Sequence, residues 1–266
     1  MSRVLVDGVV STVVPADDRG LMYGDGVFRT LRVLDSAPLW WDEQLRKLAD
    51  DCKQLGFSVP DTAEWQADWA QIAPDAKQGV LKLWVTRGSG PRGYAPPLCP
   101  QIRRGMRFDP LFIEPVLTPL HMRVCSLKLG WQPRLAGIKH LNRLENVLAR
   151  AEWTDADIQE GVLLDTADRV IAGVMSNLFI WRQNQLLTPR LDQCGVAGVA
   201  RARLMRLARA QGIDVMEANL TLPAVFAAEE VMMTNSLWGV RRVERLDSQY
   251  WPAAVISPRL EGLLHA

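Results

Sequence analysis

Lys139 stands between an Ala-Gly-Ile lead-in and the run "KHLNRLENVLARAEW", whose apolar spacing predicts a helix. A cation at a helix start opposes the helix dipole, so burial at that position would lower the pKa of the lysine. Lysines of lowered pKa form Schiff bases with carbonyl groups. A solvated lysine explains the same pattern, because long charged side chains are mostly exposed. From this segment alone, both interpretations stay open.

A glycine-led helix start in "GVAGVARARL" is the second chemical feature. Gly195 and Gly198 precede the predicted helix, so the backbone N–H groups of Val199 and Ala200 should point outward from its first turn. Such a helix end binds phosphate readily, although glycine-rich helix starts are also common without a ligand.

The segment "TNSLWG" follows a predicted strand and places Thr234, Asn235 and Ser236 at its end. Hydroxyl and amide groups there can bind phosphate oxygens or cap a turn. A nucleophilic lysine together with a phosphate-binding helix start is what a pyridoxal phosphate enzyme requires. The sequence has neither a Walker pattern nor a G-x-G-x-x-G run, so it does not indicate a nucleotide site.

Strand and helix patterns alternate along both halves of the chain. Asp7-Gly8 predicts a tight hairpin, and strands are predicted in "VFRTLRVL", "GVLKLWVT", "MRVCSLKL", "GVLLD", "VIAGVMSNLFIWR" and "QLLTP". Helices are predicted in "DEQLRKLADDCKQLGF", "TAEWQADWAQIA" and "GVAGVARARLMRLARAQGI". The hairpins favour an α+β first half, and the second half favours a mixed or barrel-like sheet, so the fold class is α+β or α/β.

Three prolines in "RFDPLFIEPVLTPLH" indicate a linker between two domains. We predict an N-terminal α+β domain over 1–112, a linker over 113–118 and a C-terminal cofactor-binding domain over 119–266.

The composition is that of an ordinary globular protein, with 48% hydrophobic and 23% charged residues and a net charge of +1. We therefore expect no attraction to nucleic acid or membranes. The N-terminus lacks the pattern of a signal peptide, and the four scattered cysteines are typical of reduced thiols, so we expect a cytoplasmic protein. The scattered cysteines and three histidines do not suggest a metal site.

Six motifs in order resemble those of the fold-type IV pyridoxal phosphate enzymes: "DRGLMYGDGVFRT", "VTRGSGPRGY", "AGIKHLNRLENVLAR", "SNLF", "GVAGVAR" and "TNSLWGV". The resemblance covers roughly residues 4 to 245. It implies a homodimer of two-domain subunits, with a smaller N-terminal domain, a larger C-terminal barrel-like domain and the cofactor in the cleft between them.

Within that family, "RGSGPRGY" and "LAGIKHLNRLE" are similar to segments of the 4-amino-4-deoxychorismate lyases. The implied reaction converts this chorismate-derived amine to 4-aminobenzoate and pyruvate in folate biosynthesis. An aminotransferase for D-amino or branched-chain amino acids is one alternative. A paralogue with altered or lost pyridoxal phosphate chemistry is another.

The resemblance also implies roles for individual residues. Lys139 would be the Schiff-base lysine and the general base. The remaining cofactor-binding residues would be Lys47, Val199, Ala200, Asn235 and Ser236. The substrate-binding residues would be Tyr23, Arg29, Arg87, Arg92 and Tyr94.

Three positions depart from the family pattern. Lys47 stands where the phosphate-binding arginine is expected, and lysine lacks the bidentate fork of arginine. Ala172 stands where a glutamate usually pairs with the pyridine nitrogen. Arg29 stands where many relatives have glutamate or threonine, either as an added carboxylate anchor or as a side chain that fills the site.

Overall fold

The structure is a computed structural model that describes residues 3–73, 77–110 and 118–265. Residues 113–117 of the predicted linker 113–118 lie outside this part, so its role stays a prediction. Within the described residues, no helix has the length and apolar character that crossing a membrane requires.

The chain divides into two compact units that do not follow one cut in the sequence. The first unit lies within Met1–Pro115 together with Ile138–Asn142, and the second within Val116–Gly137 together with Arg143–Ala266. The short segment that carries Lys139 therefore belongs to the first unit, although both of its flanks belong to the second.

The first unit contains a six-stranded antiparallel sheet in the order β2-β1-β6-β5-β3-β4. Its strands are β1 (Arg3–Val6), β2 (Val9–Val10), β3 (Gly26–Leu34), β4 (Ala37–Pro38), β5 (Gly79–Thr86) and β6 (Arg103–Pro110). Its helices are α1 (Arg19–Tyr23), α2 (Trp41–Gln54) and α3 (Thr62–Ile72). The predicted hairpin at Asp7-Gly8 is confirmed, since β1 pairs with β2 on either side of it.

Alternation explains how β3 and α2 pack together. Every second residue of β3 is buried, and Leu45, Leu48 and Cys52 form the buried stripe of α2, as the helical spacing predicts. Helix α1 was not predicted. Asp18 caps its start by accepting from Gly20 N, and Gly24 ends it in the left-handed conformation.

The predicted helix through "KHLNRLENVLARAEW" is wrong over its first residues. Ile138–Asn142 is not helical, and His140 forms an isolated antiparallel bridge with Val27 of β3: the N–H of Phe28 donates to the carbonyl of Lys139 at 3.0 Å, and the N–H of Leu141 donates to the carbonyl of Gly26 at 2.9 Å. Only Leu144–Arg150 forms the helix, α4. Lys139 therefore does not lie at a helix start, and the argument from the helix dipole does not apply to it.

The second unit is built on a barrel-like ten-stranded sheet, in the order β12-β11-β10-β14-β15-β7-β8-β9-β13 with β16 paired to β15. Its strands are β7 (Leu120–Leu129), β8 (Glu160–Asp165), β9 (Arg169–Gly173), β10 (Asn177–Arg182), β11 (Gln185–Pro189), β12 (Asp214–Ala218), β13 (Leu220–Thr221), β14 (Glu230–Asn235), β15 (Gly239–Leu246) and β16 (Gln249–Tyr250). Its other helices are α5 (Val199–Ala210), α6 (Leu222–Phe226) and α7 (Ser257–His265). The sequence predicted one strand in "VIAGVMSNLFIWR", but a turn at 174–176 divides it into β9 and β10.

Candidate functional site

Lys139 is held by its backbone beside β3 of the first unit. Its N–H donates to the Asp51 carboxylate at 3.1 Å, and its carbonyl accepts from Phe28. Its Nζ lies 4.6 Å from the centroid of the Phe28 ring. Lys82 Nζ lies 4.9 Å from the same ring, so two ammonium groups share one aromatic partner. The lysine backbone is fixed by these bonds, and its ammonium lies over the Phe28 ring.

Asp51 joins three charged or polar groups around Lys139. Its carboxylate is fully buried and pairs with the guanidinium of Arg29 and the ammonium of Lys47, one helical turn earlier on α2. Arg29 is only 2% exposed, and burial lowers the pKa of its guanidinium, although Asp51 counteracts this effect. Two cations and one anion leave this cluster with one net positive charge.

The ion pairs of Asp51 involve two residues of the predicted site, Arg29 and Lys47. Arg29 does meet a carboxylate, which is Asp51 of the chain itself, and its role in substrate binding stays a prediction. Lys47 lies on α2 with its side chain 21% exposed and engages the same carboxylate. Burial raises the pKa of the neighbouring Cys52 thiol to about 12, which disfavours its nucleophilic thiolate form.

Arg19 organises the loop that contains Arg92 and Tyr94. Its guanidinium donates to the carbonyls of Gly93, Tyr94 and Ala95 at 3.0–3.3 Å and stacks on the Tyr23 ring. The Tyr23 hydroxyl accepts from the N–H of Gly93 at 3.3 Å, and the Tyr23 and Tyr94 rings meet edge to face at 5.4 Å. The structure therefore brings Tyr23 and Tyr94 together, with Tyr94 85% exposed.

Arg87 is buried and occupied by the protein itself. Its guanidinium donates to Asp25 at 2.8 Å and to the carbonyls of Leu55 and Gly56 at 2.7 and 3.0 Å. It ties the end of β5 to the end of α2, which leaves it unsuited to bind a substrate carboxylate. Arg92 is exposed.

The start of α5 is the predicted phosphate-binding feature of the second unit. Gly198 is its N-cap residue and has no side-chain cap, while Val199 and Ala200 are buried in the first turn. Asn177 holds this turn: its Oδ1 accepts from Gly198 N at 3.2 Å, and its Nδ2 donates to the carbonyl of Val196 at 2.8 Å. A Cβ at Gly198 would lie 2.4 Å from Asn177 Oδ1. Glycine is therefore required for this close approach.

Asn235 shapes the turn after β14. Its Oδ1 accepts from the N–H groups of Leu237 and Trp238 at 2.9 and 3.1 Å. The preceding Thr234 is buried, and its Oγ1 has no hydrogen-bond partner among the described residues. Ser236 is half-buried in the turn that Asn235 caps. Asn235 thus acts as a turn cap, and the hydroxyls beside it are the groups suited to an anion.

Ala172 lies on β9 opposite Leu163 of β8, within an apolar cluster. The carboxylate of Glu160 at the start of β8 does not replace the missing acid, because it accepts from Gly161 N, Val174 N, Met175 N and Ser176 Oγ at 2.7–3.1 Å. Burial raises the pKa of Glu160 despite these bonds. Glu160 therefore supports the turn between β9 and β10.

These residues fit pyridoxal phosphate only in part. The glycine-led start of α5, with the Asn177 bonds that hold it, suits a phosphate. Position 172 offers no acid to keep a pyridine nitrogen protonated. Among the described residues, no group of three or more His, Cys, Asp or Glu side chains is arranged to hold a metal ion.

Three residues that organise these sites were absent from the predicted set: Asp51, Asn177 and Arg19. The sequence does indicate the ion pair of Asp51, because Asp51 follows Lys47 by four residues on a predicted helix. Asn177 lay within the recognised "SNLF" motif. The three carbonyl partners of Arg19 are more than 70 residues away, so no local pattern indicated them.

A sequence profile described as "Amino-transferase class IV" matches residues 26–246. Together with the two-unit α+β fold and its lysine and helix-start sites, this match shows that the chain belongs to the class IV aminotransferase family. Its relatives include both lyases and aminotransferases.

Two of these relatives are lyases. The chain is 33% identical to the aminodeoxychorismate lyase of Vibrio harveyi, over 98% of each protein. It is similar to the crystal structure of 4-amino-4-deoxychorismate lyase from Pseudomonas aeruginosa, with a TM-score of 0.93 and 39% identity over 98% of each chain. It is also 31% identical to a putative branched-chain-amino-acid aminotransferase of Methanocaldococcus jannaschii, over 87% of this chain and 82% of that protein.

Proposed function

We propose that this protein is a pyridoxal phosphate-dependent lyase that converts 4-amino-4-deoxychorismate to 4-aminobenzoate and pyruvate, a step of folate biosynthesis. The observation that carries the proposal is the 39% identity over 98% of both chains to a lyase of this specificity. The geometry supports it, because Lys139 keeps an ordered backbone and α5 keeps an uncapped start.

The chain's own residues have distinct tasks in this proposal. Lys139 is the Schiff-base lysine, and its Nζ takes the C4 proton of the substrate and delivers a proton to the departing three-carbon fragment. The N–H groups of Val199 and Ala200, with Ser236, hold the phosphate. Tyr23 and Tyr94, with the exposed Arg92, face the substrate. The cofactor, when bound, supplies the electron sink that lowers the barrier to proton removal.

Ala172 favours the lyase over the aminotransferase. Transamination depends on a protonated ring nitrogen, which position 172 does not support. The lyase forms an aromatic product, and aromatisation itself drives loss of the C4 proton and of pyruvate. The lyase reaction therefore tolerates the alanine better.

The deciding experiment measures pyruvate release from 4-amino-4-deoxychorismate by protein purified with added pyridoxal phosphate. We expect a yellow protein, borohydride trapping of the cofactor on Lys139, and formation of 4-aminobenzoate. Rapid amino-group exchange between D-alanine or a branched-chain amino acid and 2-oxoglutarate would overturn the lyase assignment.

The alternative is a paralogue that has altered or lost its cofactor chemistry. Two observations favour it: Ala172 in place of an acid, and the ion pair of Lys47 with Asp51. A colourless protein that takes up no pyridoxal phosphate would establish this alternative.

We also propose that the protein is a homodimer. Leu144, Val147 and Leu148 share one face of α4 and are 73%, 59% and 59% exposed. Three adjacent exposed aliphatic side chains are typical of an interaction surface, and a second copy is the occupant that the family predicts. Light scattering should give twice the monomer mass, and Leu144→Glu with Leu148→Glu should give a monomer. A monomeric parent protein would contradict the proposal.

A further inference from the structure

Asp51 receives contacts from three separate segments of the first unit. It lies on α2 and pairs there with Lys47. It pairs with Arg29 of β3, and it accepts from the backbone N–H of Lys139 at 3.1 Å. The residue is fully buried. One carboxylate therefore connects α2, β3 and the segment 138–142 that carries the lysine.

The contact with Lys139 is a charge-assisted hydrogen bond. A bond from a backbone N–H to a carboxylate is roughly twice as strong as a bond to a neutral acceptor. The pairs with Arg29 and Lys47 keep the carboxylate in place and compensate its burial. Because the bond is made to the backbone, it fixes the start of the Lys139 side chain relative to α2.

The contact with Lys47 has a second effect. An anion that approaches the Lys47 ammonium has to share it with Asp51, which is fixed in the protein. Replacing Asp51 by asparagine removes this competition and raises the net charge of the cluster from one to two. Anion affinity at Lys47 should then rise, since hydrogen bonds to charged groups contribute measurably to binding.

We propose that Asp51 is the positioning residue of Lys139 and the internal competitor of phosphate groups for Lys47. This inference rests on the proposed function, in which Lys139 is the Schiff-base lysine, and it adds that the Lys47 ammonium meets a phosphate group. Arg29 holds the carboxylate between these two partners.

Hydrogen exchange tests the positioning. In Asp51→Ala, the segment 138–142 should exchange about tenfold faster, because the amide of Lys139 loses its charged acceptor. Asp51→Asn keeps an acceptor oxygen and should exchange almost as slowly as the parent protein. Asp50→Asn is the matched control, since it removes one charge from an exposed neighbour on the same helix. Unchanged exchange at 138–142 in folded Asp51→Ala would overturn the positioning role.

The affinities for pyridoxal phosphate and pyridoxal test the competition. The affinity for pyridoxal phosphate divided by that for pyridoxal isolates the contribution of the phosphate. Asp51→Asn should raise this ratio about tenfold. Arg29→Met with Asp51→Asn removes the buried pair without leaving a lone charge, and it should raise the ratio as well if the single variant does not fold. An unchanged or lower ratio in both variants would overturn the competition.

Inorganic phosphate separates this inference from the proposed function. If the parent protein takes up no pyridoxal phosphate, the proposed function fails, but phosphate binding by calorimetry still reports on Lys47. Stronger phosphate binding by Asp51→Asn than by Asp50→Asn supports the competition. Equal binding by the two variants would contradict it.

Discussion

The two units build their predicted anion-binding features from different groups. Around α5 the second unit uses backbone N–H groups and the amide of Asn177, without a charged side chain among these contacts. Around α2 the first unit uses the side-chain charges of Lys47, Arg29 and Asp51. Backbone donors survive most substitutions, whereas a charge cluster changes with each one. Two of the three departures from the family pattern, Lys47 and Arg29, lie in the charge cluster of the first unit.

Lys139→Ala should have the largest effect, because it removes the group that transfers the proton in the proposed mechanism. We expect pyruvate release to fall by about 10³-fold or more, together with the loss of borohydride trapping. Lys82→Ala removes the other ammonium on the Phe28 ring and is the matched control. If trapping persists in Lys139→Ala and disappears in Lys82→Ala, the cofactor is trapped on Lys82, and our assignment to Lys139 is wrong.

Asp51→Ala should cost more stability than Arg29→Met if the first region is held by charge. The alanine leaves the buried guanidinium of Arg29 without its partner, a loss of about 3 kcal/mol in the free energy of unfolding. After Arg29→Met, Asp51 keeps Lys47 and the amide of Lys139, so we expect a loss of about 1 kcal/mol. Urea denaturation measures both values, and the reverse order would contradict the central position of Asp51.

Gly198→Ala tests the backbone-built region in the same way. Its Cβ would meet Asn177 Oδ1 at 2.4 Å and displace the first turn of α5. We expect the affinity for pyridoxal phosphate, relative to that for pyridoxal, to fall by about 30-fold, which corresponds to about 2 kcal/mol. Gly262→Ala is the control, because a Cβ there meets nothing within 4 Å. Equal affinities for both variants would mean that the helix start does not hold the phosphate.

Ala172→Glu places a carboxylic acid at the position of the second unit where the family usually has one. We expect the rate of pyruvate release to rise about tenfold, or about 1.4 kcal/mol of transition-state stabilisation. Ala172→Gln has a similar size without the charge and should give no gain. A glutamate variant that is folded but no faster would show that the ring nitrogen does not limit the reaction.

The smallest expected effect concerns His121 of the second unit, which is bonded to two carboxylates. Hydrogen bonds to Glu244 and Asp157 raise the pKa of His121 above its ordinary value. Its stabilising effect is therefore complete below the unfolded pKa of about 6.5 and is lost as the pH rises through the folded value. We expect an effect under about 1 kcal/mol between pH 5.5 and 8, which His121→Gln should abolish in urea denaturation.

Elements with a clear apolar period were predictable from the sequence. The alternation of β3 and the buried stripe of α2 needed no knowledge of distant partners. The non-helical segment at Lys139 was not predictable, because Leu144 and Leu148 continue a helical spacing although both are exposed. Pairing with β3 joins residues more than 100 positions apart, and it overrides the local pattern.

The candidate site divides in the same way. Lys139, Val199 and Ala200 are predicted from local motifs, and their roles in the site stay predictions. The roles of Arg29 and Arg87 depended on which carboxylate or carbonyl lies beside them in space. Charged residues were therefore the ones that sequence reasoning assigned least well, since their function depends on tertiary partners.

Because Gly26 and Phe28 of β3 bond to Leu141 and Lys139, these backbone contacts stay unmade until at least 141 of the 266 residues have been synthesised. Until then, the edge of β3 at Gly26 and Phe28 offers unpaired backbone groups to any other extended chain. A fragment that stops at residue 115 should be prone to aggregate for the same reason. Adding a copy of residues 138–142 through a short linker should make that fragment more soluble.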